Sequence, residues 1–173
     1  MGDAFYVAMQ IADGGPTKLT LLRVEADGTP TTVFDAMPGG ELAVPTLVTG
    51  AGDLRVIYLA RVNNQFGAWW RKFGLDGQPL SPPAPVTDDA GSFSGLALGA
   101  DTLLVIGNNT ASFSNAFSVG RLGADGTAVV PLFDVVQRPG DGFPWQTAIL
   151  RGPDVVLAWA ADGGPIRIAR TTP

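Results

Sequence analysis

Short apolar runs separated by turn residues dominate the hydrophobic pattern of the chain. The runs 42–48, 54–62 and 66–75 have the length of strands, and Gly or Pro interrupts nearly every window of ten residues, so helical periodicity is not sustained. A fourth segment, 80–86, contains three prolines. Because proline removes a donor from a hydrogen-bonded ladder, that segment belongs at a sheet edge. The pattern predicts units of four antiparallel strands with the proline-bearing strand outermost.

Two markers recur along the chain with one period. Asp-Gly pairs follow one another at intervals of 49 residues, and a basic residue stands four positions before each Asp. The pairs are Asp27-Gly28, Asp76-Gly77 and Asp125-Gly126, and the basic residues are Arg23, Lys72, Arg121 and, one period further on, Arg170. A second set, Asp3, Asp53, Asp101 and Asp154, precedes apolar, β-rich runs at nearly the same spacing. Two markers with one period predict a tandem array of units of about 49 residues.

The Asp-Gly pairs are predicted to be structural turns, because Asp and Gly tolerate the positive φ angles of tight hairpins. Four-stranded units of this length in tandem are typical of a β-propeller. An Asp-Gly hairpin after a strand that ends near a basic residue, followed by a proline-containing segment ending in Val86-Thr87-Asp88, resembles the blade repeats of large secreted bacterial propeller proteins. The resemblance specifies a blade and no activity. It also implies an extracellular or cell-surface location, although the first residues lack the basic region of a signal peptide.

We therefore predict an all-β chain, a small β-propeller of four-stranded antiparallel blades, with residues 1–173 forming a single propeller domain. The array holds about three and a half repeats, and the expected sub-blades are 1–40, 41–91, 92–142 and 143–173. The first unit lacks its first strand and the last unit lacks its fourth, which gives 14 strands. An open arc exposes sheet edges, so closure or oligomerisation is expected. A four-bladed ring within one chain is put slightly ahead of a symmetric dimer, and a segment of a longer array is a further alternative.

The composition of the chain excludes several kinds of site and of catalysis. The chain has no Cys and no His, so disulfides, thiolate zinc sites, cysteine nucleophiles and His-dependent catalysis are excluded. Its 11 basic residues are scattered and its formal net charge is −5, so we expect neither nucleic acid nor a membrane surface as a partner. No metal and no cofactor is predicted.

Candidate binding residues lie in the loops between second and third strands and in the blade connections. Amides and carboxylates there can form hydrogen bonds with sugar hydroxyls, and an aromatic plane can cover the C–H face of a sugar ring. The candidates are Asn63, Asn64, Asn108, Asn109, Trp145, Asp88 and Asp141. The same residue types are common in ordinary turns, and this alternative stays open. The adjacent Trp69 and Trp70 point to opposite faces of their strand, so one is expected between blades and the other is open to exposure. Packing of these large aromatics between blades is favoured over exposure.

From these features we expect a non-catalytic module without catalytic residues, most simply a lectin-like binder of a glycan or of a protein surface ligand. The absence of His and Cys favours a scaffold that binds over one that reacts. One alternative is a structural protein that self-associates through propeller edges, as a homo-oligomer. A second alternative is a glycosidase-like enzyme that uses paired carboxylates such as Asp88, Asp89 or Asp141.

Overall fold

The structure of the protein, a computed structural model, describes residues 4–11, 17–36, 42–50, 52–62, 65–87, 92–107, 117–136, 145–160 and 165–171. Strands and turns make up these residues, and no helix among them is long and apolar enough to span a membrane. The chain divides into two compact units, Met1–Asp88 and Asp89–Pro173. Each unit contains two antiparallel sheets whose strands follow one another in sequence order.

The first unit contains seven strands. The first sheet has the order β1-β2-β3 and the second sheet the order β4-β5-β6-β7. The strands are β1 Phe5–Ile11, β2 Lys18–Val24, β3 Pro30–Ala36, β4 Leu42–Thr49, β5 Asp53–Val62, β6 Gln65–Gly74 and β7 Ala84–Thr87. The first sheet has three strands, as expected for a blade without its first strand.

The second unit also contains seven strands, in the third sheet and the fourth sheet. The third sheet has four strands and the fourth has three, again in sequence order. The strands are β8 Ser92–Leu98, β9 Asp101–Gly107, β10 Phe117–Leu122, β11 Ala128–Val136, β12 Trp145–Arg151, β13 Asp154–Ala160 and β14 Arg167–Thr171. The predicted all-β fold of antiparallel blades is confirmed, with sheets of three or four strands, and the described residues form the 14 strands that were expected. Closure of the ring within one chain stays a prediction.

The outermost strands differ from the prediction in length and regularity. The expected strand 80–86 is shortened to Ala84–Thr87, and before it only an isolated bridge joins Phe73 and Pro79. Pro82 and Pro83 have no amide hydrogen to donate, so the ladder cannot extend through them. Register shifts occur in the pairing of all three outer strands, β3, β7 and β11. Such bulges are common at sheet edges, where the pairing is least constrained.

Each unit buries its own apolar cluster between its two sheets. In the first unit, alternate residues of β5, including Leu54, Val56 and Tyr58, pack with Leu19 and Leu21 of β2. Residues at alternate positions of a strand project from the same face, which is why β5 presents this row to the first sheet. The full cluster of buried residues is Leu19, Leu21, Leu54, Val56, Tyr58, Ala60, Trp69 and Phe73.

The second unit repeats the arrangement. Leu103 and Val105 of β9 and Val119 of β10 pack with Val155 and Leu157 of β13. Trp159 of β13 is half-buried and packs against this cluster.

Trp69 and Trp70 are both buried, so the less favoured alternative, in which one of them is exposed, is wrong. They project from opposite faces of the second sheet, so both faces of that sheet are covered near β6.

Candidate functional site

The strands define two ends of each sheet. At the hairpin end, short described turns join first to second strands, as at 99–100, and third to fourth strands, as at 123–127. At the opposite end, which we call the loop end, second strands lead to third strands and each blade leads to the next. The predicted binding residues belong to the loop end. Asn63, Asn64, Asn108, Asn109, Asp88 and Asp141 lie outside the described residues, and Trp145 is the first residue of β12, with its side chain outside them.

The Asp-Gly pairs form turns at the hairpin end. Gly28, Gly77 and Gly126 have φ angles of 84°, 81° and 85°, in the left-handed region. In each turn the Asp carboxylate accepts a hydrogen bond from the backbone amide two residues later. These contacts are Thr29 N to Asp27 Oδ1 at 2.9 Å, Gln78 N to Asp76 Oδ1 at 3.0 Å, and Thr127 N to Asp125 Oδ1 at 3.0 Å. The carboxylates thus stabilise the turns.

Hydrogen bonds lower the pKa of two of these turn carboxyls. The pKa of Asp27 lies below its ordinary value because the backbone amide and side chain of Thr29 donate to the charged form. The pKa of Asp125 is lowered in the same way, by the hydroxyl and then the amide of Thr127. A general acid has to be protonated near the working pH and needs the opposite shift. These carboxyls are therefore unsuited to that role.

The two repeated markers are ion-pair partners, a relation that the sequence analysis missed. Arg121 Nη2 lies 2.5 Å from Asp101 Oδ2, and Arg170 pairs with Asp154 in the fourth sheet. In register, Arg121 stands opposite Leu103, two residues after Asp101, so both charged side chains project from one face. A diagonal neighbour at this spacing is within reach of a long arginine side chain. The shared period of the two markers was the signal that could have predicted the pairs.

The second sheet has a more buried version of the same contact. Asp53 accepts a hydrogen bond from Arg55 Nε at 2.8 Å and pairs with Lys72 Nζ at 2.9 Å. The Arg55 side chain is almost completely buried. Burial raises the pKa of Asp53, but hydrogen bonds and charge from Arg55 and Lys72 outweigh it, so the net pKa lies below its ordinary value. Asp53 therefore balances the charge of a buried guanidinium and is unsuited to proton transfer.

The two tyrosines occupy different surroundings. Tyr58 is fully buried in the first unit, and burial raises its pKa to about 12, opposed by the charge of Arg71. Its hydroxyl has no hydrogen-bond partner among the described residues. A phenol inside the core cannot contact a substrate, so Tyr58 is excluded as a nucleophile. Tyr6 lies at the surface and donates a hydrogen bond from its hydroxyl to the carbonyl of Leu75 at 3.0 Å.

Tyr6 also lines an open cavity of about 660 Å³ in the first unit. It lies at the hairpin end and is lined by Ala4, Phe5, Tyr6, Arg23, Thr49, Gly50, Gly52, Leu54, Leu75 and Asp76. Its charged groups already have partners, because Arg23 pairs with Glu25 at 3.1 Å and Asp76 stabilises its own turn. Asp3, a member of the second marker set, immediately precedes the cavity residue Ala4 and lies outside the described residues. The described residues that line the cavity offer aromatic and apolar surface but no free pair of carboxylates.

Half of the chain's 16 carboxylates can be assigned a structural contact. Those with described side chains all accept a hydrogen bond or form an ion pair: Glu25, Asp27, Asp53, Asp76, Asp101, Asp125, Asp134 and Asp154. Within the described part of the chain, no three acidic groups come close enough together to hold a metal ion. Six of the other eight follow or precede strands at the loop end: Asp13, Glu41, Asp88, Asp89, Asp141 and Asp162.

Neither a family model nor a curated protein matches the sequence. Solved structures do match the fold. The chain superposes on Bacteroides ovatus xyloglucan PUL GH43B with a TM-score of 0.69 and 18% identity, over 99% of this chain and 37% of that one. It superposes on the GH43_1 enzyme from Xanthomonas citri, complexed with xylotriose, with a TM-score of 0.64 and 13% identity, over 97% and 66% of the two chains. It thus spans 37% of the first of these enzymes and just under two thirds of the second.

A third match is CoXyl43, a GH43 β-xylosidase/α-arabinofuranosidase from a compost microbial metagenome. Its TM-score is 0.62 and its identity 12%, over 98% of this chain and 70% of that one. The expectation of a non-catalytic, lectin-like module is wrong by this comparison, because the matching propellers are glycoside hydrolases. The expectation that the chain is not an enzyme is wrong for the same reason. The error lay in counting the missing His and Cys against catalysis, since glycoside hydrolysis needs only carboxylates.

At these identities the likeness is one of fold. The matching enzymes are five-bladed β-propellers, and the sheets of this chain are antiparallel meanders of three or four strands, repeated with a period of about 49 residues. The chain is a β-propeller protein built from blade repeats.

Proposed function

We propose that the chain contributes to a glycoside hydrolase that cleaves xylose- or arabinose-containing glycans, with a carboxylate pair at the loop end of its blades. The observation that carries the proposal is the likeness to GH43 enzymes over 97–99% of the chain. Two of those proteins are described by a xylo-oligosaccharide ligand or by xylosidase and arabinofuranosidase activity. The substrate class proposed here follows from those descriptions.

The distribution of carboxylates supports the loop end as the place of catalysis. Hydrolysis of a glycosidic bond needs one carboxylic acid to protonate the leaving oxygen and one carboxylate to act as base or nucleophile. Every carboxylate with a described side chain already has a structural partner, and three of them, Asp27, Asp53 and Asp125, have lowered pKa values. The candidates that remain at the loop end are Asp13, Glu41, Asp88, Asp89, Asp141 and Asp162.

Substrate binding would use the neutral residues of the same loops. The amides of Asn63, Asn64, Asn108 and Asn109 have the donors and acceptors that match sugar hydroxyls. Trp145, at the start of β12, would cover the C–H face of a pentose ring. In this proposal these residues bind the substrate that the carboxylates cleave, and none of them transfers a proton.

The test is hydrolysis of 4-nitrophenyl β-xyloside, 4-nitrophenyl α-arabinofuranoside and xylotriose by the wild type and by six single variants. The variants are Asp13→Asn, Glu41→Gln, Asp88→Asn, Asp89→Asn, Asp141→Asn and Asp162→Asn. We expect two of them to lower kcat by about 10² to 10⁴, the usual contribution of a general acid or base. Asn63→Ala, Asn108→Ala and Trp145→Ala should mainly raise KM.

Asp76→Asn and Asp125→Asn are the matched controls, since they alter carboxylates in turns at the hairpin end. Both should retain wild-type kcat, because an asparagine side-chain oxygen can accept the same turn hydrogen bond. Absence of hydrolysis with all three substrates would contradict the proposal. Activity that survives all six loop-end substitutions would contradict its assignment to this end of the blades.

A further inference from the structure

The open cavity of the first unit, which we call the hairpin-end cavity, lies where the first sheet departs from the repeat. In the other three sheets, the repeated basic residue stands opposite the residue two positions after a repeated Asp, and the two charges pair. The pairs are Lys72 with Asp53, Arg121 with Asp101, and Arg170 with Asp154. In the first sheet, Arg23 stands opposite Tyr6, and the residue two positions before Tyr6 is Ala4. A methyl group therefore occupies the register position that holds a carboxylate in the other sheets.

The absence of a carboxylate at this position leaves space and an unused donor in the same place. Ala4, Tyr6 and Arg23 all line the hairpin-end cavity, whose volume is about 660 Å³. The guanidinium of Arg23 forms an ion pair with Glu25, but the side chains of this pair are 42% and 43% exposed, and ion pairs of that kind are weak. Arg23 Nε is buried and has no hydrogen-bond partner among the described residues. A ligand oxygen that accepts a hydrogen bond from Nε would satisfy this donor.

The other described lining residues combine apolar surface with acceptors. Tyr6, Leu54 and Leu75 supply ring and apolar surface, and Asp76 supplies a carboxylate. The Tyr6 hydroxyl donates to the carbonyl of Leu75 at 3.0 Å, which ties the first sheet to the second, and the phenolic oxygen keeps lone pairs that can accept. The volume lies within the range of about 300 to 1,000 Å³ that is usual for ligand sites. An apolar wall with a few polar groups is the lining that such sites have.

The charges around the cavity favour a neutral ligand. Of the described lining residues, Arg23 and Asp76 are charged, and their charges are opposite. Glu25 adds a second negative charge beside Arg23. A ligand carboxylate at the position of the missing Asp would meet like charges from Glu25 and Asp76. A sugar hydroxyl can accept from Arg23 and donate to Asp76, because it is both a donor and an acceptor.

We propose that the hairpin-end cavity binds a neutral sugar residue, with Arg23 Nε donating to a ring hydroxyl and with Tyr6 and Leu75 covering apolar C–H groups of the ring. The cavity is at the opposite end of the strands from the loop-end carboxylates. It therefore holds a sugar without cleaving it. Binding there needs no catalytic group, so the inference does not rest on the proposed hydrolysis.

The test is an NMR titration of the ¹⁵N-labelled chain with xylose, a neutral single sugar that has no glycosidic bond to cleave. Backbone amides report where the sugar binds, and we expect the largest shifts at Gly50, Gly52 and Leu75, which line the cavity. Arg23→Gln should raise the Kd for xylose at least about 10-fold, the usual effect of losing a hydrogen bond from a charged donor.

Ala4→Asp is the sharper variant, because it supplies the carboxylate that the other three sheets have. The new side chain should pair with Arg23 and occupy part of the cavity, so the Kd for xylose should again rise at least about 10-fold. The urea midpoint should equal or exceed that of the wild type, which separates lost binding from lost folding. Ala124→Asp is the matched control: it makes the same change of charge at an exposed turn position of the second unit and should leave the Kd unchanged.

Glucuronate tests the neutral character of the ligand, and it should bind more weakly than xylose. Tighter binding of glucuronate, no amide shifts at the cavity in the wild type, or unchanged xylose binding in Ala4→Asp and Arg23→Gln would each overturn the inference. The titration is read without turnover. An inactive protein that binds xylose at this cavity would contradict the proposed hydrolysis alone, whereas an active one without shifts at the cavity would contradict this inference alone.

Discussion

Replacing Gly77 by alanine tests whether an Asp-Gly turn also serves as a contact between blades. Gly77 and Gly28 occupy equivalent positions in turns of the first unit, with φ angles of 81° and 84°. In both turns the preceding Asp accepts the same hydrogen bond from the backbone. Their surroundings differ. A Cβ atom on Gly28 would have no heavy atom within 4 Å, whereas one on Gly77 would lie 2.1 Å from the carbonyl oxygen of Val33.

The expected losses of stability come from two effects, the positive φ angle and the contact of the new methyl group. Placing alanine at a positive φ angle costs about 1 to 2 kcal/mol, and this applies equally to Gly28→Ala and Gly77→Ala. Only Gly77→Ala also forces a methyl group into the backbone of β3, and overpacking of this kind costs typically about 1 to 3 kcal/mol more. We therefore expect Gly77→Ala to lower the free energy of unfolding by about 2 to 5 kcal/mol, against about 1 to 2 for Gly28→Ala.

Urea denaturation followed by tryptophan fluorescence gives both values, and Gly28→Ala is the control for backbone strain because it lies in the same unit. The closest atom to the new methyl group belongs to the main chain. Trimming the side chain in the double variant Gly77→Ala/Val33→Ala should therefore not restore stability. Equal costs for the two single variants would refute the reasoning, and full rescue by Val33→Ala would show that the side chain, not the backbone, makes the contact.

Two further sites give predictions about charge and pH. Asp53→Asn should lower the free energy of unfolding by about 3 kcal/mol, because it removes the carboxylate that balances the buried guanidinium of Arg55. Asp101→Asn should lower it by about 1 kcal/mol or less, and similar urea midpoints for the two variants would contradict this reasoning. The folded pKa of Asp53 lies below its unfolded value, so wild-type stability should be retained at neutral pH and lost as the pH falls below about 4, with a smaller loss in Asp53→Asn. Tyr58→Phe should leave stability unchanged or raise it by about 1 kcal/mol, and it should remove a component near pH 12 from an absorbance titration; a clear destabilisation would indicate that the hydroxyl is bonded.

The repeat made the fold predictable before any contact was known. Apolar runs of strand length, Asp-Gly turns and a period of 49 residues determine antiparallel meanders, because each signal depends only on local backbone preferences and on the alternation of side chains. Where the prediction was wrong, it concerned contacts beyond one strand. Trp70 is buried on a face whose partner no sequence pattern identifies, and Pro82 and Pro83 shorten β7.

Candidate chemistry was harder to read from the sequence, because an acidic residue looks the same in a turn, in an ion pair and in an active site. The sequence predicts a turn at Asp76-Gly77, but only the structure shows that Asp53 balances a buried arginine. Removing the carboxylates that have structural partners leaves Asp3, Asp35 and the six at the loop end, and the proposed catalytic groups are drawn from those six. That elimination requires distances, which only the folded chain provides.

The sequence by itself determined the period, the strands, the turns and the exclusion of His- and Cys-dependent chemistry, since these depend on residue type and spacing. The tertiary structure decided which equivalent positions are truly alike. Gly28 and Gly77 occupy equivalent positions in their turns, but only Gly77 lies against another strand. Val119 and Ile168 each stand two residues before a marker arginine, but Val119 is buried and Ile168 is exposed. A repeat supplies the same local backbone each time, whereas burial and pairing depend on what lies across the next interface, which spacing along the chain does not encode.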